Sequence, residues 1–253
     1  MEQESLQGQS VVVTGAGRGI GRALALAFAA KGAHVLVHYG QSQEQAEEVA
    51  HSICEQGGKA EALQADIGDT RAVTHLVAEA VRILGKIDVW INNAGASANS
   101  AEAQGLDEIQ RFERMMRVDV EGTWRCCREV RPHMREGSCI INMGWDGALV
   151  GAPGLPNQLY AMSKGAIISL TRCLALEYAP QVRVNCIAPG WIENAWAREH
   201  ASPAFYQHVE ERIPLKRWGK VEDIVGVALF LSSPVASYIT GQVIPVNGGD
   251  VRH

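Results

Sequence analysis

Val11-Val12-Val13-Thr14-Gly15-Ala16-Gly17-Arg18-Gly19-Ile20-Gly21 joins a β-branched run to a glycine-rich turn, and a helical pattern follows directly. Three consecutive valines suit a strand buried on both faces, as in a parallel sheet. Glycines let a backbone approach a pyrophosphate closely. The helix that starts there offers unpaired N–H groups and partial positive charge to an anion. A glycine pattern alone is weak, but at the first strand–turn–helix junction it predicts a nucleotide-binding turn.

Outward from this turn, short apolar runs at 10–14, 34–39, 60–65, 88–92, 138–143, 182–187 and 243–246 alternate with helical stretches at 21–31, 43–56, 70–84, 106–135, 160–178 and 221–231. Such alternation predicts an α/β fold, a doubly wound Rossmann-like parallel sheet with helices on both faces. No repeat or Pro/Ser-rich linker divides the 253 residues, so residues 1–253 read as a single domain. The irregular stretch at about 190–219, with Trp191, Trp196, Phe205, Tyr206 and Trp218, reads as a substrate lid or as packing for that segment.

Composition narrows the classes further. Hydrophobic residues make up 47% and charged residues 20%, an ordinary globular balance. A net charge of −5 gives no general attraction to nucleic acid or acidic membranes. The six cysteines form no CxxC pair and read as reduced thiols, none of the eight histidines falls in HExxH or a similar ligand spacing, and GxSxG is absent. The N-terminus is polar and acidic, and no apolar run approaches the ~18 residues of a membrane span. A soluble, cytoplasmic enzyme acting on a small molecule, with no catalytic metal, is the expectation.

The second strand ends His38-Tyr39-Gly40-Gln41-Ser42, with no carboxylate before Glu44 to hold ribose hydroxyls and repel a 2′-phosphate. Arg18 and Ser42 can reach that corner, so NADPH (NADP+) is expected over NADH. His38, Tyr39 and Ser42 are therefore candidate cofactor contacts. The plainer reading makes His38 a strand-end residue and Arg18 a solvated loop charge.

The segments TGAGRGIG at 14–21, INNAG at 91–95, Tyr160-Ala-Met-Ser-Lys164, Pro189-Gly190 and Thr240-Gly241-Gln242…Asn247-Gly248-Gly249 resemble the short-chain dehydrogenase/reductase family, in order and over nearly the whole chain. The pattern is similar to the 3-oxoacyl-carrier-protein reductases within it. The resemblance implies about seven strands, a nicotinamide cofactor and a homotetramer. By position, it implies that Gly15, Arg18, Gly19, Ile20 and Gly21 cradle the phosphates and that Asp66 and Ile67 hold the adenine. Asn93, Ala94 and Gly95 would pass beneath the ribose. Pro189, Gly190 and Ile192 would meet the nicotinamide, with Asn194 where a threonine is usual.

Tyr160 and Lys164, four apart on a helix, project from one face. An ammonium near a phenol favours the phenolate, so Tyr160 would serve as the proton donor and Lys164 as its partner. Lys164 would also bond the nicotinamide ribose.

Two positions depart from the family pattern. The stretch Ile140-Ile141-Asn142-Met143-Gly144-Trp145-Asp146-Gly147 lacks the usual serine and offers Trp145 or Asp146 in its slot. Asp119 stands where the usual asparagine would be. Three readings follow: a carbonyl reductase that manages with substitutes, a pterin- or imine-type reductase using Asp146 as pteridine reductases use an aspartate, or a nucleotide-binding sensor or scaffold without turnover. Asp146 can alternatively cap a turn beside Gly147, and Asp119 can be a helix-face residue bridged by water to backbone.

Overall fold

The structure, a computed structural model, describes residues 5–97, 101–193 and 201–252. Seven parallel strands form one sheet: β1 (Ser10–Val13), β2 (His34–Tyr39), β3 (Lys59–Gln64), β4 (Ile87–Asn92), β5 (Met134–Met143), β6 (Val182–Pro189) and β7 (Val243–Val246). Their order is β3-β2-β1-β4-β5-β6-β7. Strand order reverses between β1 and β4, which opens a crevice at the carboxyl ends of the strands.

The valine run explains the layering. Val11 and Val13 pack with Leu24, Phe28 and Leu231 on one face, while Val12 packs with Leu76, Val130 and Leu174 on the other. Burying each such side chain contributes about 1.5–3 kcal/mol. Helices α1 (Gly19–Ala30), α2 (Gln43–Glu55) and α8 (Val221–Ser232) cover the first face. Helices α3 (Thr70–Leu84), α5 (Thr123–Val130) and α6 (Leu155–Tyr178) cover the second. Local signals set the ends of α3: Asp69 accepts the Ala72 N–H at 2.8 Å, and Gly85 closes the helix at φ 74.

The helix predicted at 106–135 is four pieces. Asp107 and Gln110 form a capping box that starts α4 (Glu108–Met115). A π-helical turn, Met116–Gly122, follows, and then α5. Pro132, which has no N–H to donate, sits in a 3-10 turn, and β5 already begins at Met134. Gly122 lets the π turn lie against β3's exit loop, since a Cβ there would stand 2.8 Å from the Ile67 carbonyl oxygen.

Two further expectations change. Helix α6 begins at Leu155, with Pro156 in its first turn, not at Tyr160. At that full length it is the one described helix long and apolar enough to cross a membrane by length and composition, yet it packs on β5 and β6. The lid stretch contains α7 (Pro203–Arg212), started by Ser202 accepting the Phe205 N–H and by Pro203 in the first turn.

Candidate active site

The glycine turn is pinned to the end of β4. Asn93 Nδ2 donates to the carbonyls of Thr14 (2.9 Å) and Gly15 (3.1 Å), and the Thr14 hydroxyl accepts the N–H groups of Asn93 and Ala94, each at 2.9 Å. Gly15 takes φ +64, and a Cβ on it would stand 2.8 Å from Ala94 Cα. Gly21 is tighter, because its Cβ would stand 2.2 Å from the Gly15 carbonyl oxygen. Gly19 has φ +56, and a Cβ there would meet no described atom within 4 Å. The first turn of α1 holds no acidic residue, and Arg18 at its N-cap makes no side-chain cap. Its leading N–H groups, including that of Ile20, thus have no side-chain cap, which suits an anionic pyrophosphate. These residues fit the phosphates of a dinucleotide.

Around the adenosine corner the predicted residues divide. Arg18 is largely exposed and 3.6 Å from Glu102, and the Ser42 hydroxyl borders Gly17, whose Cβ would stand 2.7 Å from it. Asp66 is exposed and accepts the Gly68 N–H at 2.8 Å, while Ile67 is buried. His38 and Tyr39 lie beneath the surface, against their candidacy as direct contacts. Tyr39 belongs to the core. His38 is 1% exposed, with its Nδ1 accepting the Gly15 N–H at 3.2 Å and its Nε2 3.0 Å from the Ala65 carbonyl oxygen. A backbone N–H can only donate, so Nδ1 is unprotonated and Nε2 carries the proton. Burial pushes this imidazole down to about 4, against the opposing pull of the Ala65 carbonyl and Asp66. His38 thus holds the glycine turn from below.

The reacting end lies where α6, the π turn and the exit of β5 meet. Lys164 Nζ stands 5.4 Å from the Tyr160 ring centroid and 3.1 Å from Asp119 Oδ2. Asp119 is wholly buried; its Oδ1 accepts the Ala96 N–H at 2.5 Å, and Ser163 Oγ is 3.2 Å from Oδ2. Gly95 closes over the pair, since a Cβ there would stand 3.2 Å from Lys164 Nζ and 3.3 Å from Asp119 Oδ1. The direct ion pair replaces the water-bridged reading of Asp119.

The phenol of Tyr160 departs from its expected direction. Burial raises it, Lys164 lowers it and Asp119 raises it, with a net upward shift. Lys164 is also held above its ordinary value: burial opposes its charge, but Asp119 and then Tyr160 favour it.

The structure also separates the two candidates for the missing serine. Trp145 lies against Tyr160, with ring centroids 5.2 Å apart and planes tilted by 56°. Gly147 makes room for it, because a Cβ there would stand 2.3 Å from the indole. Asp146 is buried and turned elsewhere: its Oδ2 accepts Asn247 Nδ2 at 3.0 Å and would stand 3.1 Å from a Cβ on Gly190. Burial raises its carboxyl, with Asn247 opposing. No hydrogen bond joins Asp146 to Tyr160 among the described residues.

At the nicotinamide end, Pro189 closes β6 and Ile192 is buried, bridged to Gly219. Trp191, Phe205, Tyr206 and Trp218 pack mainly on one another; the Tyr206 and Trp218 rings stack at 4.7 Å, and Trp218 Nε1 donates to the Tyr206 carbonyl at 3.1 Å. They form the lid segment's own small core. Asn194 and Trp196 lie outside the described residues. Ser163 and Asn247, both within quoted motifs, went unassigned in the sequence reading. Ser163 sits one residue before Lys164, and a small polar residue there was the available signal.

Residues 15–250 match a family described as Enoyl-(Acyl carrier protein) reductase. The chain is 37% identical to versicolorin reductase 1 of Aspergillus parasiticus, over 99% of each chain. It is 36% identical to a 3-oxoacyl-acyl-carrier-protein reductase of Staphylococcus epidermidis, over 95% of this chain and 98% of that one. A short-chain dehydrogenase from Burkholderia cenocepacia, solved in complex with NADP, superposes with a TM-score of 0.88 at 31% identity, over 98% of this chain and 99% of that one.

Proposed function

The chain belongs to the short-chain dehydrogenase/reductase family, and from that premise we propose that it reduces a ketone or aldehyde with NADPH, using Tyr160 as the proton donor. The observation that carries the reading is the pairing of Tyr160 with Lys164 on one face of α6, at the crevice below the glycine turn. A raised phenol is a phenol that still holds its proton at neutral pH, which suits donation to a developing alkoxide. Lys164 steadies the phenolate left behind, and solvent returns the proton. The nicotinamide, when bound, supplies the hydride.

NADPH over NADH is supported by Ser42 and Arg18 near the end of β2, which carries no carboxylate before Glu44, and by the NADP complex of the Burkholderia relative. Asp146 favours one second reading, reduction of a C=N bond: its buried carboxyl with a raised pKa adjoins Gly190, and its proton would suit a ring nitrogen. Its bond to Asn247 and the interposed Trp145 weigh toward the carbonyl. Homotetramer assembly remains part of the proposal, supported by the partly exposed Ile109, Phe112 and Trp124 along α4 and α5.

The test is loss of reduced-nicotinamide absorbance with ketones, aldehydes, imines and dihydropterins, run with NADPH and with NADH. Turnover on carbonyls with NADPH, falling at least about 100-fold in Tyr160→Phe while NADPH still binds, is the expected result. Turnover on the C=N substrates alone would transfer the reading to Asp146.

A further inference from the structure

An asparagine beside the Tyr–Lys pair would offer a neutral amide; this chain buries a carboxylate there. Asp119 lies on the π turn, with its carboxylate on the Ala96 backbone N–H and beside Lys164. The anchoring is complete: Ala96 N–H on Oδ1 at 2.5 Å, with Ser163 Oγ at 3.2 Å and Lys164 Nζ at 3.1 Å on Oδ2. Both partners are sealed from water, with side-chain exposures of 0% for Asp119 and 4% for Lys164. The ammonium that should favour the Tyr160 phenolate is therefore in direct contact with a counter-charge.

The geometry points to Asp119 as a positioning residue that, acting through Lys164, withholds the ammonium charge from Tyr160 and so sets the site for proton donation rather than proton abstraction. In water the second charge would be screened. In a buried site a carboxylate 3.1 Å from Nζ, nearer to it than the phenol ring centroid at 5.4 Å, offsets much of what the lysine does at the phenol. The other groups around the phenol do not reverse this. The Cys186 thiol on β6 is kept neutral by burial, pushed up to about 12, and Trp145 on the loop after β5 carries no charge. Asp146, on the same loop, is turned to Asn247. Reduction uses the protonated phenol and oxidation the phenolate, so Asp119 extends the pH range over which the donor form persists, leaving the equilibrium of the reaction itself unchanged.

This inference rests on Tyr160 as the proton donor, and its test needs no substrate. Phenolate absorbance is titrated in the wild type and in Tyr160→Phe, and the difference isolates Tyr160; Asp119→Asn is then treated likewise against Asp119→Asn/Tyr160→Phe. Asparagine keeps an acceptor for the Ala96 N–H while removing the charge. The expected result is a Tyr160 titration above the ordinary 10 in the wild type and at least about one unit lower in Asp119→Asn. The alkaline limit of reductase activity should move down with it. An unmoved titration in Asp119→Asn overturns the inference while leaving the donor role of Tyr160 intact. Full turnover by Tyr160→Phe overturns both. If Asp119→Asn does not fold, Asp119→Ser, which also removes the charge, is titrated in the same way: a Tyr160 value below that of the wild type supports the inference, and an unmoved one overturns it.

Discussion

Lowering the pH should unfasten the glycine turn through His38. The imidazole is 1% exposed, and burial, which disfavours the charged ring, pushes it from 6.5 down to about 4; a protonated ring would also lose the acceptor that Nδ1 offers the Gly15 N–H. The unfolded chain takes up the proton near 6.5 and the native chain only near 4. Stability from this group is therefore complete above pH 6.5 and is lost as pH falls toward 4. The gap of two and a half units corresponds to about 3 kcal/mol in full, with about 2 kcal/mol gone by pH 5. In a chain of this size that is a fall of about 4 °C in Tm between pH 8 and pH 5 from His38 alone. The assay compares urea midpoints of the wild type and His38→Asn across that range at one protein concentration. Asparagine places an oxygen near Nδ1, so it keeps the Gly15 bond, loses the Ala65 bond and cannot titrate. The variant should be less stable at pH 8 by about 1 kcal/mol, with a shallower pH dependence, so that the two curves cross at about pH 6 and the variant is the more stable by about 1 kcal/mol at pH 5. NADPH affinity should weaken with acid in the wild type and less so in the variant. Parallel curves would refute the assignment of the imidazole as a neutral strut.

Two substitutions probe the rest of the site. Gly21→Ala puts a Cβ 2.2 Å from the Gly15 carbonyl oxygen and 2.5 Å from Asn93 Nδ2; it should cost about 1–3 kcal/mol in urea unfolding and raise the NADPH Kd about tenfold by titration, through displacement of the turn. Trp145→Ala removes the aromatic wall against Tyr160; KM for flat aromatic ketones should rise about threefold to tenfold, the worth of one ring contact, with kcat little changed, and an equal fall in kcat would show that the indole acts in the chemical step.

Backbone features were the legible part of this chain because each leaves a mark in a few adjacent residues. Val11 to Val13 could only be a strand buried on both faces, and the glycines that follow have no other economical use at a strand–helix junction. Strand β2 and helix α3 fall on their predicted bounds because their apolar periods run undisturbed to a turn residue on each side. Legibility failed where two local signals overlapped. The apolar period of 106–135 continues through α4, the π turn and α5, and only Pro132 marks that the helix has ended. The lid helix α7 was masked by its aromatics, although Ser202-Pro203 is an ordinary helix start.

The site was legible as a set of positions but not as a set of partners. Four-residue spacing puts Tyr160 and Lys164 on one helix face, and the resemblance to the family marks that pair out from other such spacings. What Asp119, Asp146 and His38 do depends on which backbone passes them, and that is settled by packing over long sequence separations: 23 residues from Ala96 to Asp119, 101 from Asp146 to Asn247, 23 from Gly15 to His38. Each sits in the kind of place its motif suggested, yet each has its polar atoms committed to an unforeseen neighbour. A buried carboxylate or imidazole is tolerated only when such a neighbour exists. The two departures from the family pattern therefore differ in kind. Replacing the serine left Trp145, an apolar surface that needs no partner and can face a substrate. Replacing the asparagine by Asp119 added a charge that had to be answered, and the only cation buried beside it is the one that governs Tyr160 among the described residues. That coupling makes the second substitution the one expected to alter the proton chemistry, and the first the one expected to alter what is bound.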